Sequence, residues 1–256
     1  MVRLLLRILA AGLFFITAQR AWAGISFYSG TVAFKAQNYQ EAVSFFRTSE
    51  KWDSGNPRLF YELGRSAFLQ GMKTGEEDWL KQSHLSFEKL ADRLPDYGRT
   101  YAYLGFIYLT LQKRSENGLN LQEWNEIKQL FYKALEKEPG SAWIAYMTGR
   151  HFLAHAKFLS LEERQMALTQ LKRSVTIFPP RRFHQASPYL KSVLSFLWNR
   201  FRDFSLLKKL TPLDPPSYRR FLEFLEQEGL WHYREEVYET YVSLKKGNAH
   251  SVILTE

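Results

Sequence analysis

Gly30 and Gly64 stand 34 residues apart, and each opens the same short frame. Ser29-Gly30 is followed at three and four residues by Ala33 and Phe34, and Leu63-Gly64 at the same spacing by Ala67 and Phe68. A period of this length marks a supersecondary unit copied along the chain. Inside each period the apolar residues recur at three- and four-residue spacing, with no sustained two-residue alternation, so the units are helical. Downstream, Pro95, Pro139 and Pro179 each fall eight residues after an apolar residue (Phe87, Phe131, Leu171) and five after a small or apolar one (Leu90, Ala134, Ser174). Proline cannot continue a helix interior. These three sites therefore close successive helices in one phase, and the fold expected is all-α, about eleven helices stacked in pairs.

The residues that carry the period resemble the tetratricopeptide repeat, a helix–turn–helix unit of 34 residues. In the first unit Gly30 is followed by Ala42 and Phe46. In the second, Tyr61 and Leu63-Gly64 are followed by Phe87, Leu90 and Pro95. The third carries Tyr101, Leu104, Gly105 and Tyr108, then Phe131, Ala134 and Pro139. The fourth carries Gly149 and Phe152, then Ala167, Leu171, Ser174 and Pro179. A weaker unit ends the chain with Tyr218, Leu222, Leu225, Gly229, Trp231, Tyr238 and Tyr241. The resemblance covers about Ser26 to Lys246. It implies a right-handed solenoid of helix pairs, four of them over residues 24–180, degenerate repeats over 181–246, and a short frayed tail over 247–256. The glycines and the small residues Ala42, Ala134 and Ala167 are expected to let helices approach, and the aromatics to fill the space between them.

One spacing departs from the family pattern. The first-helix glycine and the second-helix small residue should lie 12 apart, as Gly30 and Ala42 do. The later intervals are 19 (Gly64 to Ser83), 22 (Gly105 to Ile127) and 18 (Gly149 to Ala167). Each later unit is therefore expected to carry a polar insertion in the turn within its helix pair, extending the helices along one edge of the solenoid: residues 71–78, 113–122 and 160–163. Residues 183–210 read as a long helical stretch with no clear turn, ending at Thr211-Pro212-Leu213-Asp214-Pro215-Pro216.

The amino terminus speaks to compartment. Arg3 and Arg7 precede an uncharged apolar run from Ile8 to Ala18, and Ala21-Trp22-Ala23 stands before Gly24. This is the layout of a secretory signal peptide over residues 1–23, and eleven apolar residues are short for a bilayer-spanning helix. Removal would leave a chain of 233 residues with a net charge of +6. The absence of cysteine agrees with export, and it excludes disulfides, thiol nucleophiles and Cys-ligated metal sites. The expected setting is the periplasm of a Gram-negative bacterium, or the outer face of the inner membrane if the leader is retained. Nucleic acid is not expected as a partner there, although the whole chain carries +9.

Catalytic constellations are scarce. His151 and His155 are four apart, but the sequence between them lacks the glutamate of the HExxH motif, and no third ligand is forced by spacing. Their expected role is packing. Glu76-Glu77-Asp78 reads as a solvated turn. Phosphate-binding, nucleotide-binding and serine-nucleophile motifs are absent. The chain is expected to be no enzyme and to need no cofactor or metal.

Two features remain. In tetratricopeptide folds the first helices line a concave groove. The resemblance places Arg58, Tyr61, Arg65 and Phe68 of the second unit there, with Trp143, Tyr146, Arg150 and Leu153 of the fourth. It adds Arg99, Ala102, Phe106 and Leu109 of the third, and Phe27, Thr31 and Phe34 of the first. Arg58, Tyr61, Arg65, Trp143, Tyr146 and Arg150 are the expected contacts, two arginine–aromatic stations suited to an acidic segment of a protein partner. The second feature is a basic block. Between Arg181 and Arg220 nine cations (Arg181, Arg182, Lys191, Arg200, Arg202, Lys208, Lys209, Arg219, Arg220) face two carboxylates, Asp203 and Asp214, a net of +7. It is either a solvated helix surface or a dock for anionic lipid, acidic glycan or acidic protein. The segment Asp214-Pro215-Pro216-x-Tyr218 with Phe221-Leu222 and Gly229-Leu230-Trp231 is also similar to repeat modules associated with exopolysaccharide assembly, so glycan or peptidoglycan binding stands as the alternative function.

Overall fold

The computed structural model describes the backbone of residues 2–114, 118–177 and 185–253, with side chains at residue 7 and from 9 to 246 within those stretches. Pro179, Arg181, Arg182, His184 and the centre of the 113–122 insertion lie outside the described residues. The described residues form twelve α-helices: α1 (Val2–Lys35), α2 (Tyr39–Trp52), α3 (Pro57–Thr74), α4 (Glu77–Arg93), α5 (Gly98–Arg114), α6 (Leu121–Lys137), α7 (Ala142–Ala154), α8 (Leu161–Thr176), α9 (Leu190–Phe201), α10 (Phe204–Leu210), α11 (Pro215–Gln227) and α12 (Arg234–Ile253). Two short 3₁₀ turns, Ala156–Phe158 and Trp231–Tyr233, join α7 to α8 and α11 to α12. The chain divides into two units, Met1–Lys137 and Glu138–Glu256. In the first, α1 packs on α2, α3 on α4 and α5 on α6. In the second, α7 packs on α8 and α11 on α12.

Each of the first four pairs closes at a first-helix glycine. A Cβ on Gly30 would lie 2.7 Å from the Phe46 ring, on Gly64 2.8 Å from Phe87, and on Gly105 3.1 Å from Phe131. On Gly149 it would lie 2.7 Å from the Ala167 carbonyl oxygen and 2.8 Å from Leu171. The repeat is thus a fixed contact, a bare first-helix backbone against a second-helix side chain. Phe46, Phe87 and Phe131 are fully buried there, as are Ala42, Ala134 and Ala167. Truncating such a phenylalanine to alanine typically costs about 3–5 kcal/mol. Ser83, the second-helix small residue of its pair, donates its hydroxyl to the Gly64 carbonyl at 2.8 Å inside the same contact.

Successive pairs in the first unit are tied at their ends. Lys89 of α4 pairs with Glu50 of α2 at 2.7 Å, and Arg93 donates to the Ser54 carbonyl while lying over Phe60 at 4.6 Å. Arg114 donates to the Gly75 carbonyl at 2.7 Å. The two arginine bonds use carbonyls of turns that the helical ladder leaves without partners.

The expected insertions go largely into longer helices, as anticipated, among the described residues. Residues 71–78 contribute the last turn of α3, a two-residue connection at Gly75-Glu76, and the first residues of α4. Gly75 takes φ +82°, the left-handed conformation that ends a helix most easily with glycine. Gly71 is buried against Leu80. The extra residues lengthen α3 and α4 to 18 and 17 residues. Ser160 begins α8 with a capping box, its hydroxyl accepting from Glu163 N at 3.2 Å while the Glu163 carboxylate accepts from Ser160 N at 2.9 Å. Asn120 and Glu123 do the same for α6, at 2.9 and 3.0 Å.

Residues 190–210 are two helices where the sequence suggested one. Arg202 turns left-handed at φ 52° to end α9, and Asp203 accepts from Leu206 N at 3.1 Å to start α10. Apolar spacing runs through this break in phase, so periodicity alone does not reveal it. Helix α12 also runs on through Gly247 to Ile253, where a frayed tail was expected.

Helix α1 is continuous from Val2, but its two halves differ. Leu9, Leu13, Phe14, Phe15 and Ile16 are exposed, and Ala23 is the first buried residue among those whose side chains are described. From there the helix packs on α2, with Ser49 donating to the Ala23 carbonyl at 3.0 Å. Among the described residues no helix is long and apolar enough to cross a membrane.

Candidate functional site

The period puts Arg58, Tyr61 and Arg65 on α3, three and four residues apart and so on one face. Asn56 starts that helix by accepting from Arg58 N at 3.1 Å, with Pro57 at its first position. The guanidinium of Arg65 lies over Phe34 of α1 at 4.7 Å and over Tyr61 at 5.2 Å, and pairs with Glu62 at 3.2 Å. Burial works against its charge most strongly, yet Tyr103, Tyr61 and Glu62 together hold its pKa above the ordinary arginine value. Burial, then Tyr61, pushes the Tyr103 hydroxyl upward, while Arg65 pulls it back.

Tyr61 is the centre of an aromatic cluster. It meets Phe87 at 6.3 Å, Tyr97 at 5.5 Å and Tyr103 at 6.1 Å, all edge-on. Tyr103 in turn stacks on Phe87 at 4.6 Å, and Phe68 bridges Tyr103 and Phe106 at 5.8 and 5.0 Å. Rings locked in this way present area with little rotamer entropy left to lose. Arg58 is exposed, with its guanidinium 5.4 Å from the Phe27 ring, and it forms no ion pair among the described residues.

The second unit holds the other station. Ser141 starts α7 by accepting from Ile144 N at 3.4 Å. Tyr146 stacks on Tyr189 at 5.3 Å, and Arg150, exposed, donates to the Tyr146 hydroxyl at 3.4 Å. Trp143 is half-buried one turn earlier on the same helix. Arg150 has no carboxylate partner among the described residues. The stations belong to different units, and each is built from residues of its own.

Several expected groove residues prove to be core. Phe68, Leu109 and Leu153, the twelfth position of three first helices, are buried, and so is Ala102. Tyr103, Tyr97 and Glu62 were missed in the sequence. Tyr103 and Tyr97 sit off the fixed groove positions of their unit, and Glu62 is signalled only by its i,i+3 spacing to Arg65.

The remaining candidates resolve as structure. His155 is the C-cap of α7, where its Nδ1 donates to the His151 carbonyl at 2.8 Å, and both histidines are buried. Among the described residues no group of histidine and carboxylate side chains is placed to hold a metal ion. In the basic segment, Lys208 pairs with Glu236, and Arg219 and Arg220 pair with Glu223 at 3.4 and 2.9 Å. The 40-residue window stops three residues short of Glu223, so its net charge overstates the free charge. Tyr218, Phe221 and Leu222, which suggested a glycan module, are buried, and Asp214 caps α11 by accepting from Ser217 N at 2.8 Å.

No protein-family model matches the chain, and no curated protein matches it by sequence. Among solved structures it is similar to the crystal structure of TTC0263, a thermophilic TPR protein in Thermus thermophilus. That likeness has a TM-score of 0.55 at 16% identity and covers 86% of this chain and 99% of the other. At that identity the likeness speaks to fold alone, and it meets the glycine-to-second-helix contacts found in four successive pairs. The chain has an all-α tetratricopeptide-like fold.

Proposed function

We propose that the chain is a non-catalytic scaffold of the bacterial cell envelope that holds an acidic segment of a protein partner on its first-helix faces. The observation that carries this reading is the pair of arginine–aromatic stations: Arg58, Tyr61 and Arg65 in one unit, and Trp143, Tyr146 and Arg150 in the other. In each, an arginine without a carboxylate partner (Arg58, Arg150) stands beside rings already fixed by stacking. Such a surface offers forked bonds to a carboxylate at small ordering cost. Export is part of the proposal. It is supported by the leader-like sequence of residues 1–23 and by the exposure of its apolar run; among the side chains described, removal would take only Ala23 from the buried residues.

The test uses the full chain expressed in a Gram-negative host. A photo-crosslinking residue replaces Tyr61 in one variant and Tyr146 in another. The expected result is the same envelope protein captured from both positions, with capture lost in Arg58→Glu and Arg150→Glu. Capture only from outer positions such as Lys81, unaffected by either arginine, overturns the groove reading. Recovery of the chain from the cytoplasm with Met1 intact overturns the export reading.

A further inference from the structure

Helix α8 buries one face against α7 through Ala167, Leu171 and Ser174. Its opposite face runs Gln165, Leu168, Thr169, Lys172, Arg173 and Thr176, at three- and four-residue spacing. Across from it stand Leu206, Lys209 and Leu210 of α10. Together these nine residues line a cleft of about 450 Å³ within the second unit. Leu168, Leu206 and Leu210 supply apolar surface, Lys172 and Arg173 flank it from α8, and Lys209 from α10. Among the described residues no carboxylate lines it.

The polar groups of the cleft divide into spent and unspent. Thr169 gives its hydroxyl to the Gln165 carbonyl, and Thr176 gives its own to the Lys172 carbonyl, at 3.0 and 3.1 Å. Arg173 donates to the Pro139 carbonyl at 2.6 Å and to Gln170 Oε1 at 3.1 Å. Lys172 and Lys209 are exposed and form no ion pair among the described residues. Two unpaired ammonium groups from two helices thus share one leucine-floored cleft.

From this cleft we infer that the second unit binds a single-chain anionic amphiphile, an alkyl carboxylate, with its chain against Leu168, Leu206 and Leu210 and its head between Lys172 and Lys209. The size selects this class. The volume falls in the range of small-ligand sites, about 300–1,000 Å³. A stable protein interface asks for roughly 800 Å² per partner, far more than nine lining residues offer. The charge selects the sign: an anionic head meets two cations and no carboxylate, and a cationic head would meet only like charge. Lysine ammoniums are mobile point charges, suited to a compact head at the mouth of a greasy slot. The cleft lies on α8 and α10, and the groove residues of this unit lie on α7, so the two readings stand or fall separately.

The probe is sodium decanoate below its micellar concentration, titrated calorimetrically into the intact chain. The expected result is one-to-one binding that weakens with added salt, falls about tenfold or more in Lys172→Glu/Lys209→Glu, and is unchanged in Arg150→Ala. Both lysines are exposed, so the double variant should keep the parent's helical content and melting temperature. Leu206→Asp is the second probe and should lose binding through the floor. No binding of decanoate overturns the inference. So does affinity that survives the lysine changes, or equal affinity for decyltrimethylammonium, either of which would mark unspecific apolar adsorption.

Discussion

Replacing Gly64 by alanine pits two opposed effects against each other. Alanine in a helix interior is favoured over glycine by about 1 kcal/mol. The new methyl, however, would stand 2.8 Å from Phe87 Cε2 and 3.0 Å from its Cδ2 and Cζ. The ring cannot easily yield, because its far side is stacked on Tyr103 at 4.6 Å. Overpacking of this kind costs about 1–3 kcal/mol. A site held from both sides belongs in the upper half of that range, so the net change is a loss of about 1–2 kcal/mol. Gly105 is the control within the same unit. Its Cβ would meet Phe131 only at 3.1 Å, so propensity and crowding nearly cancel. Thermal unfolding followed by circular dichroism should place Gly64→Ala below Gly105→Ala by about 2–6 °C. In a Phe87→Leu background the Gly64→Ala penalty should shrink, since the shorter side chain leaves room. If Gly64→Ala melts above Gly105→Ala, or if Phe87→Leu makes no difference to it, the repeat is not built on this contact.

The other expectations are smaller. Ser83→Ala removes a buried hydroxyl from the Gly64 carbonyl and should cost about 1 kcal/mol in urea unfolding, with Ser83→Gly costing more through lost propensity. Ser160→Ala breaks the capping box of α8 and should cost about 1 kcal/mol, while Ser160→Asp should be nearly neutral. Asp203 has its pKa lowered from the ordinary 3.8, by the Ser205 hydroxyl first and the Leu206 amide next. Its contribution is therefore complete above about pH 3.8 and lost as pH falls through the lower folded value. Acid titration of Asp203→Asn, followed by unfolding, should show a shallower loss on that limb than the parent, and an identical limb would contradict the capping role.

The fold was legible because its repeat is a contact between particular atoms. A glycine and a phenylalanine whose separation varies from 16 to 26 residues still meet in the first three pairs, since much of the added length extends both helices of a pair beyond the contact. The polar stretch 71–78 shows how: Gly71 stays buried against Leu80, so the added residues lengthen α3 and α4 and leave only Gly75-Glu76 as the connection. The break at Arg202 was hidden by its apolar spacing. Leu197, Phe201, Phe204, Leu207 and Leu210 continue the three- and four-residue spacing across it, and only the left-handed backbone of Arg202 and the cap at Asp203 divide α9 from α10.

The site was half legible, and its charges explain why. Position within a repeat tells which side chains leave the first helix, but not which of them already have partners. Arg65 carries the strongest sequence signal and is the arginine most fully engaged, by Phe34, Tyr61, Glu62 and Tyr103. A ligand carboxylate arriving there must share a guanidinium with Glu62, and so gains less than its spacing suggests. Arg58 and Arg150 have no such competitor. The same reasoning divides the basic segment, where Glu223 and Glu236 occupy Arg219, Arg220 and Lys208 but leave Lys209 to the cleft on α8. Under the proposed function, an acidic partner meets only the charge left over after the helices have paired their own, and that remainder is set by neighbours three, four or twenty-eight residues away.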